Sequence, residues 1–178
     1  MIRQLVLGML TVLAMLGTAR AEVPAVGSVA PEFSLSDQDG RPRRLGEWRG
    51  RWVVLYFYPK DDTPGCTTEA CSFRDDIVQL TQLGAQVVGI SVDDTASHKA
   101  FAEKHRLPFP LLADTNASVA RQYGALSDWL VVKMARRYSF IVDPAGRIAK
   151  AYLTVDPSRH VQEIVADLKV LQARTAAR

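Results

Sequence analysis

The chain has two thiols, Cys66 and Cys71, and Thr63-Pro64-Gly65 stands directly ahead of the first. Threonine is an N-cap residue type, and proline suits the first helical position. With Thr63 as N-cap, Cys66 falls at the third helical position, where a capping box usually places an acid. An anion there meets unpaired backbone N–H groups and the positive end of the helix dipole. The Thr63 hydroxyl is a further candidate donor to the sulfur. An ordinary thiol is only about 3% ionised at pH 7, so a position that favours the anion points to a nucleophilic cysteine. The competing reading is a core thiol, since Cys66 shares a helical face with Phe73 and Ile77. A core position alone, however, does not ask for Thr, Pro and Gly just before it.

Cys71 follows five residues later. In an ideal α-helix that separation puts the two Cα atoms about 8.7 Å apart, whereas a disulfide needs them within about 7 Å. The pair can bridge only if the first turns unwind. A static bridge closing so short a loop would be worth only about 2 kcal/mol in the chain-entropy model. A disulfide that forms and breaks during turnover fits the spacing better.

The surrounding elements must hold this segment. Val23 to Leu35 reads as an extended arm ending in a short strand, and Asp39-Gly40 as a hairpin turn. Trp52 to Tyr58 is a continuous apolar run, as in a strand buried on both faces. Cys66, Ala70, Phe73, Ile77 and Leu80 are spaced four, three, four and three apart, which predicts one helix from Cys66 to Leu83 stopped by Gly84. Ala85 to Val92 reads as a strand, Thr95 to His105 as a helix, Leu111 to Ala113 as a short strand and Ser118 to Tyr123 as a short helix. Tyr138 to Val142 and Ile148 to Val155 flank a turn at Asp143-Pro144-Ala145-Gly146, and Ser158 to Leu171 closes the chain as a helix. This order predicts an α/β protein of thioredoxin-like fold: a mixed sheet flanked by helices, with an N-terminal extension. Sites in such sheets lie at the carboxyl ends of the strands, here the loop from Pro59 to Cys66.

The 178 residues are 48% hydrophobic and 23% charged, which argues for one globular domain. A net charge of +3 makes no nucleic-acid footprint. Two cysteines make neither a disulfide-dense scaffold nor a four-cysteine zinc site. Arg3, the apolar run Leu5 to Leu16 and Ala19-Arg20-Ala21 read as a signal peptide cleaved before Glu22, too short to span a membrane. The expected organisation is therefore 1–21 signal peptide and 22–178 mature domain, exported to an oxidising compartment such as the periplasm, with no membrane attachment after cleavage.

The segment Pro59-x-x-x-Thr63-x-x-Cys66 resembles the signature of the peroxiredoxins. Cys71 matches the second cysteine of the bacterioferritin-comigratory, or Q-type, branch. The resemblance covers about Val26 to Leu171. It implies a thioredoxin-fold peroxidase that reduces hydrogen peroxide and organic hydroperoxides with no cofactor and no metal. Cys66 would be the peroxidatic nucleophile and Cys71 the resolving cysteine. Thr63, Pro59 and Arg137 would be pocket residues, and Cys66 and Cys71 would form the redox-active disulfide. The partners implied are a hydroperoxide and a thioredoxin-like dithiol protein, acting on a monomer or weak homodimer. The apolar stretch Asp128 to Ala135 looks shorter than in many relatives.

An arginine suits such a pocket, being always charged and presenting several donors in a rigid fork. Strand alternation says that only one of Arg136 and Arg137 faces it; the resemblance, not the pattern, selects Arg137. His98, His105 and His160 are scattered and read as solvated helix residues. Asp93-Asp94 reads as an acid pair at a helix N-terminus. The five arginines from Arg41 to Arg51 read as a solvated loop. The rival function is a thiol–disulfide oxidoreductase of the same fold, which would normally carry C-x-x-C.

Overall fold

The computed structural model describes residues 22–129 and 132–176. Its centre is β3 (Trp52–Phe57), all six residues of which are buried. Side chains alternate along a strand, so Trp52, Val54 and Tyr56 join one core while Val53, Leu55 and Phe57 join the other. The first core is covered by α1 (Pro64–Asp75), α2 (Ile77–Gln82), α3 (Thr95–His105) and α5 (His160–Ala176). The second is covered by the N-terminal arm and α4 (Ser118–Gln122).

Seven strands form the sheet in the order β2-β1-β5-β4-β3-β8-β9. They are β1 (Ser34–Asp37), β2 (Pro42–Arg44), β4 (Ala85–Ser91), β5 (Leu111–Ala113), β8 (Tyr138–Val142) and β9 (Ile148–Tyr152) around β3. β3, β4 and β5 run parallel, and β8 pairs with β3 antiparallel. This is the thioredoxin-like mixed sheet that the element order predicts.

Local differences have physical causes. The helix expected to be continuous to Leu83 is kinked at Asp76 (φ −95, ψ 8), which separates α1 from α2. The hairpin partner expected to reach Val155 stops at Tyr152, and the closing helix starts at His160, not Ser158, after Asp156 accepts bonds from the Ser158 N–H and hydroxyl. The described residues of the stretch Asp128 to Ala135 belong to a separate antiparallel pair, β6 (Leu126–Trp129) with β7 (Val132–Ala135), which the sequence reading did not anticipate. Within the arginine loop, Arg43 pairs with Glu47 and stacks over Trp48, while Arg49 pairs with Glu32. The proposed signal segment 1–21 lies outside the described residues, and among those residues no helix is long and apolar enough to cross a membrane.

Candidate active site

The turn after β3 leads through Pro59, half-buried, and Asp62, in the left-handed region (φ 56), to the start of α1. Thr63 is the N-cap in extended conformation, Pro64 opens the helix, and Cys66 sits at the third position, 1% exposed. The Thr63 hydroxyl donates to the Lys60 carbonyl at 3.0 Å rather than to the sulfur. Its side chain accepts no bond from the first helical turn, so those N–H groups are not capped by it.

The register of β8 against β3 brings the second partner. Phe57 pairs with Tyr138, so the residue before Tyr138 lies at the carboxyl end of β3. That residue is Arg137, whose Nη2 donates to Cys66 Sγ at 3.2 Å. Arg136 turns instead to the Tyr138 hydroxyl at 3.3 Å. Gly65 leaves room for the guanidinium: a Cβ at that position would lie 3.2 Å from Arg137 Nη2.

Beneath the guanidinium, Arg137 Nη1 donates to the carboxylate of Glu69, one turn along α1 and wholly buried. Burial pushes the Glu69 carboxyl up to about 7, against the pull of Arg137. Its second oxygen, Oε1, has no hydrogen-bond partner and lies 3.9 Å from His160 Nε2. That imidazole shares a hydrogen bond with Ser139 Oγ at 2.8 Å. Burial, and then Arg137, push His160 down to about 4. The sequence reading took His160 for solvated; the fold buries it where α5 crosses β8. Glu69 was missed altogether, and its signal was an acid on the apolar face that carries Cys66, Ala70 and Phe73.

A second buried network fixes the loop. Asp61 accepts from the Tyr58 hydroxyl at 2.7 Å and from Ser97 Oγ at 2.7 Å, and meets His98 Nδ1 at 2.8 Å. Burial works against its charge, but the bonds from His98, Ser97 and Tyr58 outweigh that and hold it below the usual carboxylate range. His98 is thus buried and not solvated. The predicted acid pair splits its roles: Asp94 caps α3 through the Ser97 N–H at 2.8 Å, while Asp93 turns inward to the Asp61 N–H at 2.9 Å. Asp61, Asp93 and His98 lie close enough to hold a cation, but their oxygens already accept these protein hydrogen bonds.

Cys71 is a free thiol, as is Cys66, on the half-buried side of α1. Arg74 Nη1 lies 3.5 Å from its sulfur and His105 Nδ1 3.9 Å. His105 is 18% exposed, again not a solvated residue.

The AhpC/TSA family model matches residues 26–151. The chloroplastic peroxiredoxin Q of Triticum aestivum is 46% identical over 147 residues, 82% of this chain and 66% of the wheat protein. The Sedum lineare peroxiredoxin Q is 45% identical, over 83% of this chain and 77% of that one. The crystal structure of peroxidoxin BcpB from Mycobacterium tuberculosis superposes with a TM-score of 0.78 at 35% identity, covering 83% of this chain and 97% of the other. The matched segment thus spans about two-thirds of the length of the wheat protein.

The buried pair generates opposed pH effects. Folded Glu69 keeps its proton up to about pH 7, whereas an ordinary glutamate releases it near 4.5. Its contribution to stability is complete below 4.5 and lost as pH rises through about 7. Folded His160 resists a proton down to about pH 4, against 6.5 ordinarily, so its contribution is present above 6.5 and lost as pH falls through 4. In the shared window the two offset each other. Relative to wild type, Glu69→Gln should make stability rise with pH by up to about 1.4 kcal/mol per unit, and His160→Gln should make it fall. Urea midpoints across pH 4 to 8 test this; parallel profiles for all three proteins would refute it.

Proposed function

The chain belongs to the AhpC/TSA family, in its peroxiredoxin Q branch, and from that premise we propose a thiol-dependent peroxidase in which Cys66 attacks the hydroperoxide. The observation that carries the reading is the arginine 3.2 Å from a thiol at a helix N-terminus. In the proposed cycle the Cys66 thiolate attacks the terminal peroxide oxygen, the O–O bond breaks, and the leaving oxygen departs as water or an alcohol. Arg137 donates to the sulfur and to the oxygens on which charge shifts. Thr63 and Pro59 complete the pocket; proline has no N–H, so it offers the peroxide an apolar wall. Cys66 is left as a sulfenic acid. Cys71 then forms the disulfide with release of water, and a thioredoxin-like dithiol protein restores both thiols. Hydrogen peroxide and small organic hydroperoxides fit so enclosed a sulfur.

The cysteines and the arginine can be tested together. Cys66→Ser should abolish peroxide reduction, and Cys71→Ser should be oxidised once and trap a sulfenic acid at Cys66. Arg137→Ala should slow the attack by about 10²-fold or more, and Arg136→Ala far less. Multi-turnover activity with a protein dithiol in Cys66→Ser would overturn the reading.

The spacing generates a structural prediction. Closing the disulfide must bring the Cα atoms nearer by roughly 2–3 Å relative to a regular helix, so the first turns of α1 come apart. The oxidised protein should lose helical circular dichroism and exchange its amides faster from Gly65 to Arg74 than the reduced one. Protection in that segment that does not change with oxidation would contradict this.

We further propose export through the 1–21 segment, to the periplasm or an equivalent compartment. Protein isolated from its native host should begin at Glu22 on N-terminal sequencing; an intact Met1 form in the cytosol would exclude it.

A further inference from the structure

Beside the second thiol lies a group of side chains that the proposed cycle leaves unused. His105 ends α3, with Nε2 2.9 Å from Asp62 Oδ1 and Nδ1 3.9 Å from Cys71 Sγ. Arg74 donates from Nη1 to Cys71 Sγ at 3.5 Å and to the His105 carbonyl at 2.8 Å. Lys104 Nζ meets the same Asp62 oxygen at 3.0 Å, and the Phe101 ring packs edge-on against the imidazole at 5.0 Å. Hydrogen bonds from His105 and then Lys104 hold the Asp62 carboxyl below its usual range, so it is an acceptor at neutral pH. An ionised Asp62 takes the Nε2–H, which leaves the Nδ1 lone pair for the thiol.

We infer that Cys71, His105 and Asp62 form a triad in which His105 is the general base that generates the resolving thiolate and Asp62 positions it. The inference rests on the peroxidase reading, in which Cys66 is oxidised first. Cys71 needs such help: it lies in the third turn of α1, beyond the reach of the helix N-terminus that serves Cys66. His105 is suited to give it. It belongs to α3, outside the segment that unwinds. A cation on its ring would face the Asp62 carboxylate and the carbonyl end of α3. Arg74 opposes that cation but favours an anion on the sulfur. The resting sulfur–nitrogen separation is long, as is common before a reacting complex tightens.

The step balances. The Cys71 S–H proton passes to His105 Nδ1. The freed electron pair forms the S–S bond to Cys66 Sγ as the S–O bond of the sulfenic acid breaks. The departing hydroxide takes the proton from His105 and leaves as water. Cys71 is oxidised from thiol to disulfide, and Cys66 is reduced from sulfenic acid to the same level.

The test is rapid mixing of the reduced full chain with one equivalent of hydrogen peroxide. Two fluorescence phases, sulfenic acid formation and disulfide closure, are assigned by mass spectrometry of quenched samples. An ordinary thiol is about 3% ionised at pH 7, so a base that secures the thiolate gains at most about 30-fold. His105→Ala should therefore slow the second phase about 10-fold at pH 7, with the deficit shrinking to within about twofold near pH 9.5, where a thiol ionises unaided. The slowdown should fall on the second phase and not on the first. His105→Gln, which keeps size and polarity but not basicity, should behave as the alanine variant, and added imidazole should recover part of the rate in His105→Ala. Asp62→Asn should show a smaller deficit of the same pH form. With excess peroxide, His105→Ala should accumulate Cys66 sulfinic acid. A deficit equal at both pH values, a wild-type rate in His105→Gln, or no deficit at pH 7 would overturn the triad. Absence of the first phase in the wild-type protein would overturn the peroxidase reading instead.

Discussion

One guanidinium joins the two elements that make the site. Arg137 stands at the head of β8, beside the carboxyl end of β3, and touches both Cys66 and Glu69 on α1. Cys66 and Glu69 are one turn apart, so a single planar fork reaches both. The arrangement sets two acids against one cation. If both were ionised, two buried anions would share one positive charge, and desolvation would leave the second poorly compensated. Burial resolves the competition by raising the carboxyl towards neutrality, so that Glu69 takes part of the proton load and Arg137 remains available to the sulfur. His160, kept neutral behind Glu69, adds no rival positive charge.

The loop before α1 is held just as firmly, by a different chemistry. Asp61 ties together the residue after β3, Tyr58, and α3 through Ser97 and His98, and its own N–H is fixed by Asp93 beyond β4. These bonds fix Pro59 to Thr63 from below. The first turn of α1 therefore starts at a defined place, and the Thr63 side chain caps none of its N–H groups. A rigid loop matters because the position of the helix start, more than any one side chain, decides where the dipole acts.

What was legible in the sequence was what short range dictates. Thr63-Pro64 fixed the beginning of α1, and the apolar run from Trp52 marked a strand buried on both faces. Both are local signals, and both hold. The kink at Asp76 was not legible, because no proline or glycine announces it and the apolar spacing continues across it. The histidines were misread for a related reason. A histidine on a helix carries no mark of which neighbour the helix will meet; His98, His105 and His160 acquire their partners only when α3 and α5 pack on the sheet. Glu69 could have been flagged, since an acid among Cys66, Ala70 and Phe73 must find a cation or a proton. Choosing Arg137 over Arg136 rested on the family resemblance, because no pattern within the strand supplies the register of β8 against β3.

The two thiols are anchored to different elements, and that bears on how they can meet. Cys66 is held to β8 through Arg137, whereas Cys71 is held to the end of α3 through Arg74 and His105. In the proposed cycle, oxidation changes only the first of these holds. A sulfenic acid is neutral, so it loses the ion pair that drew the thiolate to Arg137, while Glu69 keeps the guanidinium in place. The front turns of α1 are then the part free to move, and the Arg74 contact keeps Cys71 beside α3 to receive them. The kink at Asp76 bounds the disturbance, since α2 docks on β4 as a separate segment and keeps Leu80 in the core. A helix broken at that point can lose its first turns while α2 stays docked on the sheet.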